Sequence, residues 1–449
     1  MAIALSADQI CAALGGEVRA RGVDGHPLRA VIDSREAGSG DIFFGLRGAS
    51  ADGGAHGADA LAAGAWGVVV GPGHAQELEG GWAFEVADPL TALGSLARAW
   101  RRALGAKVVG VTGSVGKTSV KDITRALIPG AVHASPENFN TEIGLPLTIL
   151  SAPEGTDVLV LEMAMRGVGQ IAELAEIAEP DVAVITNVGP VHVELLGSVE
   201  AIAAVKAEIL AGLPADGAAV VPVDAGMLDP HLQGVPRLIR FGEDGDVRVA
   251  SSTRRGRATE ALIVTPAGEQ LFAFGFSEAY NLTNALAAIG AGVALGVEPA
   301  ELAARTSEIG FSRLRGEHLV LGDRVTLVND SYNANPVSMR AALDHLASLE
   351  AESRIAVLGE MAELGEGAAE FHAEVGRHAR TLGIDSVIGV GETARAYGPD
   401  ELVGTPEEAA ELLAGRVEPG DTILVKGSRS AAMDGVAEAL GPLLGGGGV

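Results

Sequence analysis

Four stretches of this chain, "KVVGVT" from Lys107, "TDVLVLEMA" from Thr156, "PDVAVITNVG" from Pro180 and "GAAVVPVD" from Gly217, are apolar at nearly every position. A strand that is apolar on both faces must be covered on both. Val/Ile-rich runs of this kind, alternating with helix-like segments at Val168 to Ile177 and Glu200 to Leu210, predict a doubly wound parallel sheet. Between Asp246 and Phe276 the pattern changes to alternating polar and apolar residues with turn signals at "RRG" and "PAGE", which predicts a small antiparallel sheet. A helical stretch over Ala279 to Ala294 follows. The α/β rhythm then restarts with "RVTLVND", "RIAVLGE", "DSVIGVG" and "DTILVKG", while the first ~85 residues are looser and turn-rich. The chain therefore reads as an α/β protein of three domains. These are a small N-terminal α/β unit over 1–85, a central doubly wound unit over 86–312, and a Rossmann-like C-terminal unit over 313–449.

Charge narrows the ligands. With 59 acidic against 32 basic residues the formal net charge is −27, which argues against a nucleic-acid surface, since that needs clustered cations. Any anionic ligand must find a local cationic pocket, and Arg35, Arg47, Lys117, Arg315 and Lys426 are the cations of interest. No apolar run reaches the ~18 residues of a membrane span, and the N-terminal stretch lacks a basic segment followed by a long apolar one, so a cytoplasmic protein without membrane insertion is expected. The single cysteine, Cys11, reads as a small hydrophobe in a reducing compartment.

The first of the buried runs leads directly into "TGSVGKTS". A strand, a turn of small residues (Gly113, Ser114, Val115, Gly116) and a helix beginning near Lys117 would aim backbone N–H groups and a positive helix end at one point, where phosphates bind. Lys117 would reach the β and γ phosphates, and the Thr118 hydroxyl, followed by Ser119, would meet the magnesium ion between them. Val111 stands where the strict phosphate-loop pattern has its first glycine, and a solvated Gly-Lys turn is the plainer alternative. Glu162 ends the next strand, where α/β sheets place ligand-binding groups. His192 lies just past another strand end, where a capping or surface histidine is the plainer reading, and it gains weight because a further candidate follows it. Lys206 has Ile202, Ala203, Ile209 and Leu210 on its helical face, so its amine either snorkels to water or loses its proton. Snorkelling is the simpler reading from the residues alone, whereas a neutral amine could capture CO₂ as a metal-binding carbamate.

Seven motifs in order, "GVTGSVGKTSVKD", "NFNTEIGLPLTIL", "LEMAMRGVGQI", "TNVGPVHVELLGS", "NDSYNANPVSM", "LGEMAELG" and "VKGSR", resemble the Mur ligases of peptidoglycan synthesis. "VIDSREAGSGDIFFGLRGASADGGAH" resembles their nucleotide-sugar segment, so the likeness spans nearly the whole chain. It implies a monomeric, ATP- and Mg²⁺-dependent ligase that joins D-alanyl-D-alanine to UDP-N-acetylmuramoyl-tripeptide through an acyl phosphate, with its outer domains closing over a central ATP site. Position by position, it makes Lys117 the phosphate lysine, Thr118 and Glu162 magnesium ligands with His192, and Lys206 a carbamylated lysine. Asn138, Asn140 and Thr141 would lie near metal and phosphates, Asn281 and Asn284 by the adenine, Arg315 at the γ-phosphate and Asp330 at the ribose. Asn333, Asn335, Lys426, Ser428 and Arg429 would form the acceptor region, and Ser34, Arg35 and Arg47 would face the UDP-sugar. Val115 and Tyr280 stand where the family often has asparagine and histidine. Folylpolyglutamate synthases share the phosphate loop, but the "DNPR" motif of the diaminopimelate-adding relative is absent and "DSYNANP" is present. A nucleotide-binding module without catalysis is the other class to separate, because it would not need Glu162, His192 and Lys206 together.

Overall fold

The computed structural model describes residues 2–48, 51–136, 138–190, 196–322 and 324–445. The helix-and-strand rhythm of the sequence is realised as three α/β units in chain order, with a small sheet between the second and third. In the first, β1 (Glu17–Ala20), β2 (Ala30–Val31), β3 (Ile42–Phe44), β4 (Gly67–Val70) and β5 (Trp82–Glu85) lie in the order β1-β5-β4-β3-β2. Only β1 runs antiparallel to its neighbour.

The central sheet holds β6 (Lys107–Thr112), β7 (Val132–Ala134), β8 (Val158–Glu162), β9 (Val182–Ile185), β10 (Ala218–Pro222) and β11 (Arg237–Phe241). It is wholly parallel, in the order β11-β10-β9-β6-β8-β7. The chain leaves β6 to one side, towards β7 and β8, and returns on the other as β9. That reversal opens a crevice at the carboxyl ends of β6, β8 and β9, where ligands of open α/β sheets bind. Alternate residues of the inner strands β6, β8, β9 and β10 enter two separate cores, one under the helix Pro89–Leu104 and one under the helices Lys117–Leu127 and Ala279–Ala294. Beyond it β12 (Arg248–Arg255), β13 (Ala258–Thr265) and β14 (Gly268–Phe274) form the expected antiparallel sheet, with Phe272 and Phe274 turned into the second core.

The third unit is built on β15 (Glu317–Leu321), β16 (Val325–Asn329), β17 (Arg354–Leu358), β18 (Ser386–Val390), β19 (Glu401–Val403) and β20 (Thr422–Lys426). Its order is β15-β16-β20-β17-β18-β19, parallel except for the β15–β16 hairpin. After β18 the chain makes a 3₁₀ turn, Glu392–Tyr397, where the sequence suggests a helix. The difference is local: Gly391, at φ +83° and ψ 161°, and Gly398, in the left-handed conformation, stand at its two ends, both in backbone conformations that glycine tolerates best.

Helix Pro89–Leu104 joins the first two units into one core. Asp88 caps it by accepting from the Thr91 N–H at 2.9 Å, and Pro89 occupies its first turn, where no donor is lost. Leu93, Leu96 and Trp100 share a core with Ile10, Phe44 and Phe84 of the first unit and with Leu159 and Ile185 of the central sheet. On the same helix Arg101 donates to the carbonyls of Ala178 (3.0 Å) and Glu179 (2.7 Å), capping the end of the helix Gln170–Ala178. Trp100 is 2% exposed and its indole N–H donates to Ala152 O at 3.1 Å. Trp100→Ala removes both packing and that hydrogen bond, and should cost about 3–5 kcal/mol in a denaturant titration; a loss below about 1 kcal/mol would contradict this account of the joint.

Candidate functional site

Thr186 follows β9, and its hydroxyl makes Gly113 obligatory. Gly113 has φ +149°, and a methyl group there would lie 1.9 Å from Thr186 Oγ1. Gly116, at φ +82°, packs less tightly against Asn284 Oδ1, at 2.5 Å from where a Cβ would sit. The turn between the two glycines is tied to the end of β9 rather than left free. The N–H groups of Ser114 and Val115 donate to Asn187 Oδ1 at 3.1 and 2.9 Å, Thr186 Oγ1 donates to Val115 O at 2.5 Å, and Ser114 Oγ donates to Gly189 O at 3.0 Å. Gly116 supplies no side-chain cap to the helix Lys117–Leu127, so the first N–H groups of that helix are left for a ligand. Val120, Ile123 and Leu127 are fully buried, and they fix that helix on the sheet.

Around this turn lies a cavity of about 650 Å³. Among the sequence-derived candidates it is lined by Ser114 to Ser119, Asn138, Asn140, Thr141, Glu162, Asn284, Arg315, Asp330, Asn333, Asn335 and Lys426. Thr118 is its hub. The hydroxyl donates to Glu162 Oε2 at 2.9 Å and accepts from Arg315 Nη2 at 3.1 Å, while Asn140 Nδ2 donates to the other Glu162 oxygen at 2.8 Å. Lys117 Nζ folds back onto Gly113 O at 2.8 Å. Burial lowers the Lys117 pKa, the Glu162 carboxylate opposes that shift, and the Arg315 cation adds to it.

Arg315 belongs to the segment that enters the third unit. Leu314 before it adopts a left-handed conformation, φ +62°, a strained arrangement held by the Tyr332 N–H donating to Leu314 O at 3.2 Å. The guanidinium stacks 3.8 Å from the Tyr332 ring centroid, and Arg429 approaches the same ring at 5.5 Å. Arg315 Nε is buried and has no hydrogen-bond partner among the described residues. Such a donor beside a cavity suits an anion. The backbone N–H and hydroxyl of Ser312 also bind Asp122 Oδ2, both at 2.8 Å, so two contacts fasten the segment to the helix that starts at Lys117.

The remaining candidates separate. Lys206 is 2% exposed and, among the described residues, its ammonium has neither hydrogen bond nor ion pair, so it does not snorkel. Burial first, and then the Lys117 charge, push its pKa well below that of an ordinary lysine. His192 lies outside the described residues. Asn281 is buried, accepts from Asn284 Nδ2 at 3.2 Å and lines a second cavity of about 270 Å³ that Arg315 also borders. Lys426 is committed to Asp330 Oδ2 (2.5 Å) and Asn333 O (3.0 Å), and Asn335 caps the helix Pro336–Ser348. Ser428 Oγ accepts from the Ala362 N–H at 2.8 Å. Ser34, Arg35 and Arg47 sit in the first unit away from the cavity lining, where Arg35 grips Asp33 and holds that carboxyl at about 2. Asn187, Thr186 and Tyr332 were not singled out from the sequence. All three fall inside quoted motifs, and what distinguishes them is contact across the fold, which a single sequence does not print.

A glycine-rich turn at a sheet reversal, a lysine and hydroxyl at the head of its helix, and an arginine delivered from another unit define a nucleotide-binding α/β protein of the phosphotransfer type. Residues 111–292 match the Mur ligase middle domain and residues 315–429 the Mur ligase glutamate ligase domain. The chain is 36% identical to the UDP-N-acetylmuramoyl-tripeptide–D-alanyl-D-alanine ligase of Mycobacterium bovis, with 91% of each covered. Its structure resembles MurF from Acinetobacter baumannii (TM-score 0.88, 27% identity, 98% and 99% covered). It also resembles MurF from Thermotoga maritima in complex with ADP (0.81, 33%, 93% and 97%). The chain belongs to the Mur ligase family.

The clash at Gly113 gives a test. Gly113→Ala should weaken binding of a fluorescent ATP analogue about tenfold or more and lower the melting temperature, because both φ and the Thr186 contact must change. Unchanged affinity would show that the turn does not need this shape.

Proposed function

We infer that this chain is the ligase that joins the amine of D-alanyl-D-alanine to the free carboxyl of UDP-N-acetylmuramoyl-tripeptide, converting ATP to ADP and phosphate. The observation that carries the reading is the Thr118 hydroxyl, shared between Glu162 of the central sheet and Arg315 of the third unit beside the phosphate turn. A carboxylate is a poor electrophile, and a phosphoryl group supplies the leaving group it lacks. One carboxylate oxygen attacks the γ-phosphorus, the bond to ADP breaks, and an acyl phosphate forms. The dipeptide amine then adds to the acyl carbon and loses a proton, and the tetrahedral intermediate expels phosphate together with that carboxylate oxygen. Most of the acceleration in such transfers comes from positioning and charge neutralisation. In this reading Lys117, Arg315 and the free N–H groups of the helix start perform the second task.

The adenine would lie by Asn281, Asn284 and Tyr280, and the ribose at Asp330, whose carboxylate Lys426 orients. Asn333, Asn335, Ser428 and Arg429 border the acceptor dipeptide, and Ser34, Arg35 and Arg47 hold the UDP-sugar. The units 1–85, 86–312 and 313–449 are read as hinged bodies of a cytoplasmic monomer that binds no nucleic acid. The donor set suits a hard divalent cation. The Thr118 hydroxyl and Glu162 carboxylate would hold magnesium, with His192 and a carbamylated Lys206. Magnesium there adds positive charge against the β and γ phosphates. A buried lysine without a partner among the described residues favours the neutral amine, which adds to CO₂, releases a proton and becomes an anion.

Phosphate release from ATP in the presence of the UDP-tripeptide is expected to depend on D-alanyl-D-alanine, and the product to be heavier by one dipeptide residue. Equal release with a single amino acid would move the chain to another branch, and no release to a binding module. Separately, Lys206→Ala should abolish turnover, with partial recovery on adding acetate, whose carboxylate stands in for the carbamate. Full activity of the untreated variant would overturn the carbamate.

A further inference from the structure

We propose that Glu278, His318 and His345 form a second divalent-metal site, of the type that takes zinc, set across the joint between the central and third units. Glu278 immediately precedes the helix Ala279–Ala294 of the central unit, His318 lies on β15, and His345 lies on the helix Pro336–Ser348 of the third. Glu278 Oε1 stands 3.0 Å from His318 Nε2 and 3.4 Å from His345 Nε2, and the three ligand atoms lie within 4.8 Å of one another. Metal–ligand bonds of about 2.0–2.2 Å in a tetrahedron require ligand atoms roughly 3.3 Å apart. Two of the separations already fit, and the third lies within 4.8 Å.

Two further observations point to a cation rather than to a buried polar contact. Among the described residues neither ring nitrogen of His345 has a hydrogen-bond partner, although the residue is only 5% exposed. Its 3.4 Å approach to Glu278 lacks hydrogen-bond geometry, so an imidazole buried by the fold is left unsatisfied at its polar edge. Finally, the 270 Å³ cavity opens onto Glu278 and His318. It provides an entry path and room for a water as fourth ligand.

Two imidazoles and one carboxylate form a donor set that takes zinc or cobalt in preference to magnesium, so the site is chemically distinct from the oxygen ligands around Thr118. Its ligands come from both sides of the joint. Glu278 is three residues from Asn281 and six from Asn284, and a bound metal would fasten their helix to the third unit.

The test uses full-length, metal-free protein in excess Mg²⁺, titrated with Co²⁺ and then Zn²⁺. Wild type should take up one Co²⁺ with the intense visible bands of a tetrahedral site, lose them to Zn²⁺, and melt at a higher temperature with Zn²⁺ present. His345→Gln and Glu278→Gln should each weaken Co²⁺ binding by about 100-fold or more, since losing even an outer-shell partner costs 10–100-fold, and should lose the Zn²⁺ shift. Melting each variant without metal identifies any that fails to fold, and the other then decides. Absence of the bands in wild type, or bands and Zn²⁺ shifts of equal size in all three proteins, would overturn the site.

Discussion

The Thr118 hydroxyl donates to a carboxylate fixed at the end of a central strand and accepts from a guanidinium that arrives from the third unit. Much else in the structure serves this contact. Glu162 is only 2% exposed, with Asn140 and Thr118 each binding one of its oxygens, so its position is dictated by the sheet and not by solvent. Arg315 is held from behind by the Tyr332 ring and by the strained backbone at Leu314. A buried charge pays for itself only when its partners are in place, which explains why three separate elements converge here.

The phosphate turn is organised by the same logic. Asn187 and Thr186, one strand away in space and some seventy residues away in sequence, bind its backbone groups before any ligand arrives. A turn fixed beforehand does not lose conformational entropy again on binding. The glycines are required by contact as much as by backbone angle: Gly113 faces Thr186 and Gly116 faces Asn284, so the loop, β9 and the helix Ala279–Ala294 constrain one another.

Much of this architecture is legible in the residues. Strands apolar on both faces announce a covered parallel sheet, and each quoted run from "KVVGVT" to "DTILVKG" occupies a strand of the central or third sheet. The helix Ala279–Ala294 has the limits that its pattern implies. The phosphate turn, Glu162 and the exit of the chain at Arg315 are local motifs and can be read locally. Lys206 shows where local reading stops: helical spacing gives it apolar neighbours, but whether its amine reaches water depends on what packs over it. Likewise the roles of Asn187 and Tyr332, and the meeting of Glu278, His318 and His345, arise from contacts between distant segments. Charge composition limits the ligand class but places no residue.

The claim on which the account rests is that the γ-phosphoryl group of ATP is passed to the substrate carboxylate in this cleft. The most direct measurement labels that carboxylate with ¹⁸O and follows the label through one turnover by mass spectrometry of the released phosphate. The account predicts one ¹⁸O in each phosphate, carried there when the tetrahedral intermediate collapses. Unlabelled phosphate alongside a completed amide would show that the carboxylate was activated in some other way, and would contradict it.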